Sequence, residues 1–245
     1  MLITYTAILK TKKEVAPQVF YVQFSYPTDP SWSFQAGQYM IFHLPVQEKG
    51  HHARRLYSIA SAPSQKDTLD FIIEMVPGGI GSLYVENMGE GDSITMQGPA
   101  GIFTLKPSER DIVMLATGTG IVPMYSMIAD RVTYNAKREV PHIYLFWGLK
   151  FKKDIYLKNE LAILAAAYPH FHYSICLSRE KESTATHCLV GRVTIGLRKL
   201  IEKTDNLKTN FDFYLCGDPH VVEALKEELQ KNDVPKEQIF FEKFT

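Results

Sequence analysis

A change of rhythm near residue 111 limits this chain to a narrow set of folds. Ile112-Val113-Met114-Leu115-Ala116 is an unbroken apolar run, the pattern of a strand buried on both faces of a parallel sheet. It leads into Ala116-Thr117-Gly118-Thr119-Gly120-Ile121-Val122-Pro123 and then a helical stretch over about 124–133. The alternation continues with strands at 143–147 and 172–177, a helix over 154–167, a helical segment over 193–202, and strands at 213–216 and 239–241. Between the last two strands, Asp218 reads as a helix cap and Pro219 as the first helical residue. Val221, Val222, Leu225 and Leu229 form the apolar stripe of that helix. Strand alternating with helix predicts a parallel sheet covered by helices.

Upstream of about Leu105 the runs are short and β-rich. Leu69, Phe71, Ile73 and Met75 alternate on one face of a strand, and 19–26, 39–44, 56–59 and 93–97 are similar. Short strands punctuated by Gly and Pro predict an antiparallel barrel or sandwich, interrupted by a short helix at 82–88. The expected organisation is therefore a β domain over residues 1–105 and an α/β domain over 106–245, with Lys106–Arg110 as the hinge.

Lys+Arg and Asp+Glu both number 27 among 245 residues, so no global charge attracts nucleic acid or an anionic membrane. The opening Met1-Leu2-Ile3-Thr4-Tyr5-Thr6 reads as a strand rather than a signal peptide. The longest apolar stretches, 112–116 and 161–167, are far too short for a membrane span. Cys176, Cys188 and Cys216 are few and scattered, which excludes a disulfide framework and a four-cysteine iron–sulfur or zinc cluster within the chain. The expected compartment is the cytoplasm.

Several short motifs carry chemistry. The Gly118-Thr119-Gly120 loop, lying between strand and helix, lets backbone amides and a helix N-terminus approach a pyrophosphate; it lacks a third glycine, and a tight structural turn reads the same way. Arg55-Leu56-Tyr57-Ser58 offers a bidentate phosphate donor, a flat aromatic face and a hydroxyl, or simply an edge strand. Gly79-Ile80-Gly81-Ser82 could hold a second anion or make a turn. Cys216-Gly217-Asp218-Pro219 reads as a strand end, either a reactive position or a buried thiol followed by a cap.

In this order, with Gly37-Gln38-Tyr39 before them and Phe241-Glu242-Lys243-Phe244-Thr245 at the end, the motifs resemble the ferredoxin–NADP reductase family over essentially the whole sequence. The resemblance implies a six-stranded antiparallel FAD-binding barrel followed by a Rossmann-like nucleotide-binding domain. It implies that Arg55 contacts the FAD pyrophosphate, Tyr57 packs on the isoalloxazine, Ser58 lies beside flavin N5, and Gly81 and Ser82 close over the phosphates. Gly118, Thr119 and Gly120 would face the nicotinamide nucleotide's pyrophosphate, and Cys216 would sit near nicotinamide C4. Glu242 and Phe244 match the acid–aromatic pair of plant-type members, although Phe stands for the usual Tyr and Thr245 is one residue more.

A 2′-phosphate requires cations. Lys150, Ser178-Arg179 and Arg192 resemble the basic positions of bacterial NADPH-using members, and are otherwise solvated surface charges. The implied chemistry is hydride transfer from NADPH (NADH being possible) to FAD, and onward delivery to a carrier such as ferredoxin or flavodoxin. Two alternatives remain: the NADH-dependent reductase of an oxygenase with its iron–sulfur centre on another polypeptide, and a non-catalytic FAD-binding subunit.

Overall fold

The computed structural model describes residues 2–48, 50–134, 141–182, 185–204 and 207–244, so Met1 and Thr245 lie outside the described residues. The chain folds into two units, Met1–Leu105 with Tyr125–Asp130, and Lys106–Met124 with Arg131–Thr245.

In the first unit, six strands form an antiparallel sheet: β1 (Ile3–Ala16), β2 (Val19–Ser25), β3 (Tyr39–Glu48), β4 (His51–Ser58), β5 (Thr68–Glu74) and β6 (Ser93–Ala100), in the order β4-β3-β6-β1-β2-β5. The edge strands β4 and β5 approach one another, so the sheet curls around a core that includes Phe24, Phe42, Phe71, Leu9, Met40 and Met96. The three Phe rings meet edge to face, the arrangement their quadrupoles favour. The alternation read at 69–75 appears as Leu69, Phe71, Ile73 and Met75 in one buried cluster. The short helix, α1 (Ile80–Asn87), begins two residues earlier than expected. Its C-terminus is held by Lys12, whose ammonium donates to the carbonyls of Val85, Glu86 and Met88, where the helix dipole favours a cation.

The second unit holds a six-stranded parallel sheet of β7 (Asp111–Thr117), β8 (Ile143–Leu149), β9 (Phe171–Leu177), β10 (Cys188–Val190), β11 (Phe211–Gly217) and β12 (Ile239–Lys243), in the order β10-β9-β8-β7-β11-β12. The chain moves outward in one direction from β7 and then returns to its other side at β11. That reversal opens a crevice at the carboxyl ends of β7 and β11, the usual ligand position in such sheets. Ile112–Ala116 is buried throughout, as the unbroken apolar run requires. The helices are α2 (Ile121–Tyr134, of which Tyr125–Asp130 belong to the first unit), α3 (Lys158–Ala167), α4 (Thr194–Lys203), the single turn α5 (Leu207–Asn210) and α6 (Pro219–Lys231). Asp218 caps α6 by accepting from the amides of His220 and Val221, with Pro219 in the first turn; Val222, Leu225 and Leu229 are buried as predicted.

The helix expected over 154–167 is interrupted. A 3-10 turn spans Lys152–Asp154, and Leu157 adopts left-handed φ 56 before α3 begins at Lys158. The 3-10 turn is closed on itself, because the Asp154 carboxylate accepts the Phe151 amide at 2.9 Å. No helix among the described residues is long and apolar enough to cross a membrane. The three cysteines are free thiols.

Candidate functional site

Two groups of motif residues are assembled, one in each unit. In the first, β4 carries Arg55, Tyr57 and Ser58, and the N-terminus of α1 carries Gly81 and Ser82. Gly81 is the close approach that joins them. A methyl at its Cα would lie 2.7 Å from the Tyr57 hydroxyl and 2.8 Å from Arg55 Cγ. The first amides of α1 have no intrahelical acceptors and the dipole adds positive potential there, so the Arg55 side-chain stem, a phenol and a helix N-terminus share one small region.

The Arg55 guanidinium forms a bidentate pair with Glu48 at 2.9 and 3.0 Å, across the β3–β4 hairpin. That carboxylate raises the Arg55 pKa. Tyr57 packs edge-on against Phe42, with centroids 4.8 Å apart, and burial pushes its hydroxyl up to about 12. Ser58 is buried. The Ser82 hydroxyl oxygen accepts the Val76 amide at 2.8 Å, which ties the glycine-containing loop to the start of α1.

In the second unit, Gly118, Thr119 and Gly120 form a 3-10 turn after β7. Gly118 has φ 52. Gly120 lies so close to β11 that a methyl there would overlap the Cys216 carbonyl; no other residue allows this approach. Gly217 has φ 126, and a side chain on it would strike Thr117. The Thr117 hydroxyl accepts the Asp218 amide at 2.9 Å. The two loops that flank the crevice are therefore bound to each other directly.

Cys216 and Glu242 face one another in the β11–β12 register. Burial, and then the Glu242 charge, raise the Cys216 thiol pKa well above its ordinary value. Burial also lifts the Glu242 carboxyl to about 7, and its Oε2 is buried without a hydrogen-bond partner. The Phe244 amide donates to the Gly217 carbonyl at 3.0 Å, placing the acid and the aromatic of the terminal motif beside the Cys216-Gly217 strand end.

The cationic positions gather at the carboxyl ends of β8 and β9. The Arg179 amide donates to the Lys150 carbonyl at 2.9 Å, and both the amide and hydroxyl of Ser178 donate to Leu149. Arg192 follows Gly191, whose amide donates to the Leu177 carbonyl at 3.0 Å. Lys150, Ser178, Arg179 and Arg192 are all exposed. Beside them lies a 570 Å³ depression lined by Phe151, Lys152, Lys153 and Glu180. The Arg179 guanidinium and the Lys153 ammonium stand 6.0 and 5.7 Å from the Phe151 ring centre. Sequence reasoning missed Phe151 and Glu180. The four-residue basic and aromatic run 150–153 is the signal that could have found the first.

Sequence reasoning also missed two donors to the glycine turn. Trp147 Nε1 and the Tyr156 hydroxyl both donate to the Gly118 carbonyl, at 2.9 and 3.1 Å. Among the described residues, no group of three or more His, Cys, Asp or Glu side chains is placed to hold a metal ion.

A six-stranded antiparallel β unit followed by a parallel sheet with a glycine turn at its crevice is the layout of a two-domain flavin oxidoreductase. Residues 6–105 match the family model of the oxidoreductase FAD-binding domain, and residues 114–227 that of the oxidoreductase NAD-binding domain. The chain is 33% identical over 176 residues to ferredoxin–NADP reductase B of Sorangium cellulosum, covering 71% of this chain and 70% of that protein. This chain belongs to the ferredoxin–NADP reductase family. It is also 28% identical over 225 residues to the reductase component of propane 2-monooxygenase from Rhodococcus jostii, covering 89% of this chain but only 58% of that protein. Among solved structures it resembles the Amycolatopsis cytochrome P450 reductase GcoB, with TM-score 0.84, 26% identity, and coverage of 100% of this chain and 70% of that one.

Proposed function

We propose that this chain oxidises NAD(P)H by way of bound FAD and passes the electrons to a separate carrier or oxygenase protein. FAD is assigned to residues 1–105 and the nicotinamide nucleotide to residues 106–245. The observation that carries the reading is the convergence of Arg55, Tyr57 and the α1 N-terminus around Gly81, which fits an anionic pyrophosphate joined to a flat ring. Bound FAD would supply the exchange between two-electron and one-electron chemistry that no side chain offers.

Each residue then has a distinct task. Arg55 would meet the FAD pyrophosphate, which would compete with Glu48 for the guanidinium; the Gly81 and Ser82 amides would donate to the same phosphates. Tyr57 would offer its ring to the flavin, and the Ser58 hydroxyl would donate at flavin N5. Gly118, Thr119 and Gly120 bring amides to the pyrophosphate of the nicotinamide nucleotide at the crevice between β7 and β11. Cys216 presents a neutral, apolar thiol to the nicotinamide ring. Glu242, poised near neutrality, holds a proton at its carboxyl that it can release or accept during turnover. Phe244, at the aromatic position of the acid–aromatic pair, would serve as the ring that packs on a flavin.

Lys150, Ser178, Arg179 and Arg192 form the basic platform for a 2′-phosphate, which supports NADPH as the preferred donor. The Sorangium relative, a ferredoxin–NADP reductase by name, supports a ferredoxin-like carrier as electron acceptor, and the Rhodococcus relative, the reductase component of a monooxygenase, supports an oxygenase protein.

Steady-state ferricyanide reduction tests the donor assignment. Arg179→Ala should raise the KM for NADPH at least tenfold more than that for NADH. An equal effect on both would contradict the 2′-phosphate role.

A further inference from the structure

We infer that Tyr156 and Trp147 are positioning residues that aim the Thr119 amide at the nucleotide pyrophosphate by fixing the Gly118 carbonyl. This role rests on the proposed reading of the 117–120 turn as the nucleotide site.

Gly118 leaves the β7 ladder with φ 52, so its carbonyl turns out of the sheet. Two side chains from other parts of the chain meet it. Trp147 lies near the end of β8, and Tyr156 follows the 3-10 turn at Lys152–Asp154. Their donor atoms stand 2.9 and 3.1 Å from the same oxygen, and a carbonyl has two lone pairs to offer. The two rings also brace each other, at 4.8 Å between centroids and 75° between planes. Both side chains are buried, so neither donor can trade its partner for bulk water.

A trans peptide is planar, and its C=O and N–H point in opposite directions. Holding the Gly118 oxygen toward Trp147 and Tyr156 therefore turns the Thr119 N–H away from them. Trp147 belongs to β8, the neighbour of β7 on one side, and β11 flanks β7 on the other. The Thr119 amide is thus directed toward the flank where the strand order reverses. Two hydrogen bonds on the carbonyl also polarise the shared peptide, which makes its N–H a stronger donor to an anion. A left-handed glycine gives freedom to flip this peptide; the two aromatic donors remove it.

The test is Tyr156→Phe in the FAD-loaded full chain, which deletes one donor and keeps the ring. NADPH oxidation should show a KM raised roughly two- to tenfold, the range for one lost hydrogen bond. The kcat should change by less than twofold, the signature of binding lost equally in ground and transition states. The kcat/KM for reduced nicotinamide riboside, which carries no phosphate, should be unchanged. Trp147→Phe should show the same split, and if that larger core change prevents folding, Tyr156→Phe decides alone. An unchanged KM for NADPH, or an equal loss with the phosphate-free donor, would overturn the positioning role. A wild-type protein that oxidises neither NADPH nor NADH would instead overturn the functional reading on which it depends, and this role with it.

Discussion

Glu242 on β12 stands directly opposite Cys216 on β11, with its Oε2 buried and without a hydrogen-bond partner. Burial lifts this carboxyl from its ordinary value of 4.5 to about 7. A group whose pKa is raised on folding contributes stability that is full below its unfolded pKa and is lost as pH rises through the folded one. Wild-type stability should therefore decline between about pH 4.5 and 7 on account of Glu242. Glu242→Gln should raise the melting temperature at alkaline pH and give no gain in acid below the unfolded pKa. Thermal unfolding of both proteins across that range checks this; a constant offset at every pH would contradict it.

Gly81 offers a second prediction. Gly81→Ala inserts a methyl against the Tyr57 hydroxyl and the Arg55 side chain, displacing the groups assigned to FAD. FAD affinity should fall at least tenfold while the apoprotein stays folded. Titration of apoprotein with FAD by fluorescence quenching, beside circular dichroism, measures both, and wild-type affinity would rule out this cradle as the FAD site.

Lys12 acts on the same helix from its other end. Its ammonium holds three carbonyls at the C-terminus of α1. Lys12→Met removes these charge-assisted bonds at a cost of about 1.5–3 kcal/mol, or roughly 3–10 °C of melting temperature in a chain of this size. Amide exchange in α1 should accelerate more than in β7. Equal acceleration in both would argue for a global rather than local role.

The amino end of the parallel sheet supplies a pH prediction independent of cofactors. The His142 ring is linked to His172 at 3.2 Å and to His170 at 3.1 Å, and the His142 amide donates to Asp111. Burial, then the His142 and His170 charges, lower the His172 pKa, while Asp111 opposes them. A pKa depressed on folding gives stability that is present above the unfolded value of about 6.5 and is lost as pH falls through the folded one. His172→Phe should flatten the loss of melting temperature below about pH 6.5. An unaltered slope would show that the chain of histidines carries no such linkage.

Much of the fold was legible because local signals agreed with one another. The run at 112–116 became the buried strand β7, and Asp218-Pro219 became the capped start of α6. The extent of β1 was not legible beyond its first residues. Its charged residues Lys10, Lys12, Lys13 and Glu14 hide a strand that pairs with β6 along its first half and β2 along its second. The break before α3 was equally hidden, since Leu157 is a common helix former held here in a left-handed conformation. At the site, the glycines were visible in the sequence but not what fixes them. Trp147 and Tyr156 carry no motif in the sequence, and their common acceptor at Gly118 is 29 and 38 residues away. The Glu48 partner of Arg55 was missed for a similar reason, because it becomes a neighbour only when the β3–β4 hairpin closes.

Electron flow from nicotinamide to flavin is decided by the absorbance spectrum of the purified, FAD-supplied protein before and after anaerobic addition of NADPH or NADH. The oxidised flavin band should be present and should bleach with NADPH, at lower concentration than with NADH, and return when an electron acceptor is added. A protein that binds no flavin, or whose flavin band stays unchanged with both nucleotides, would contradict the proposed function.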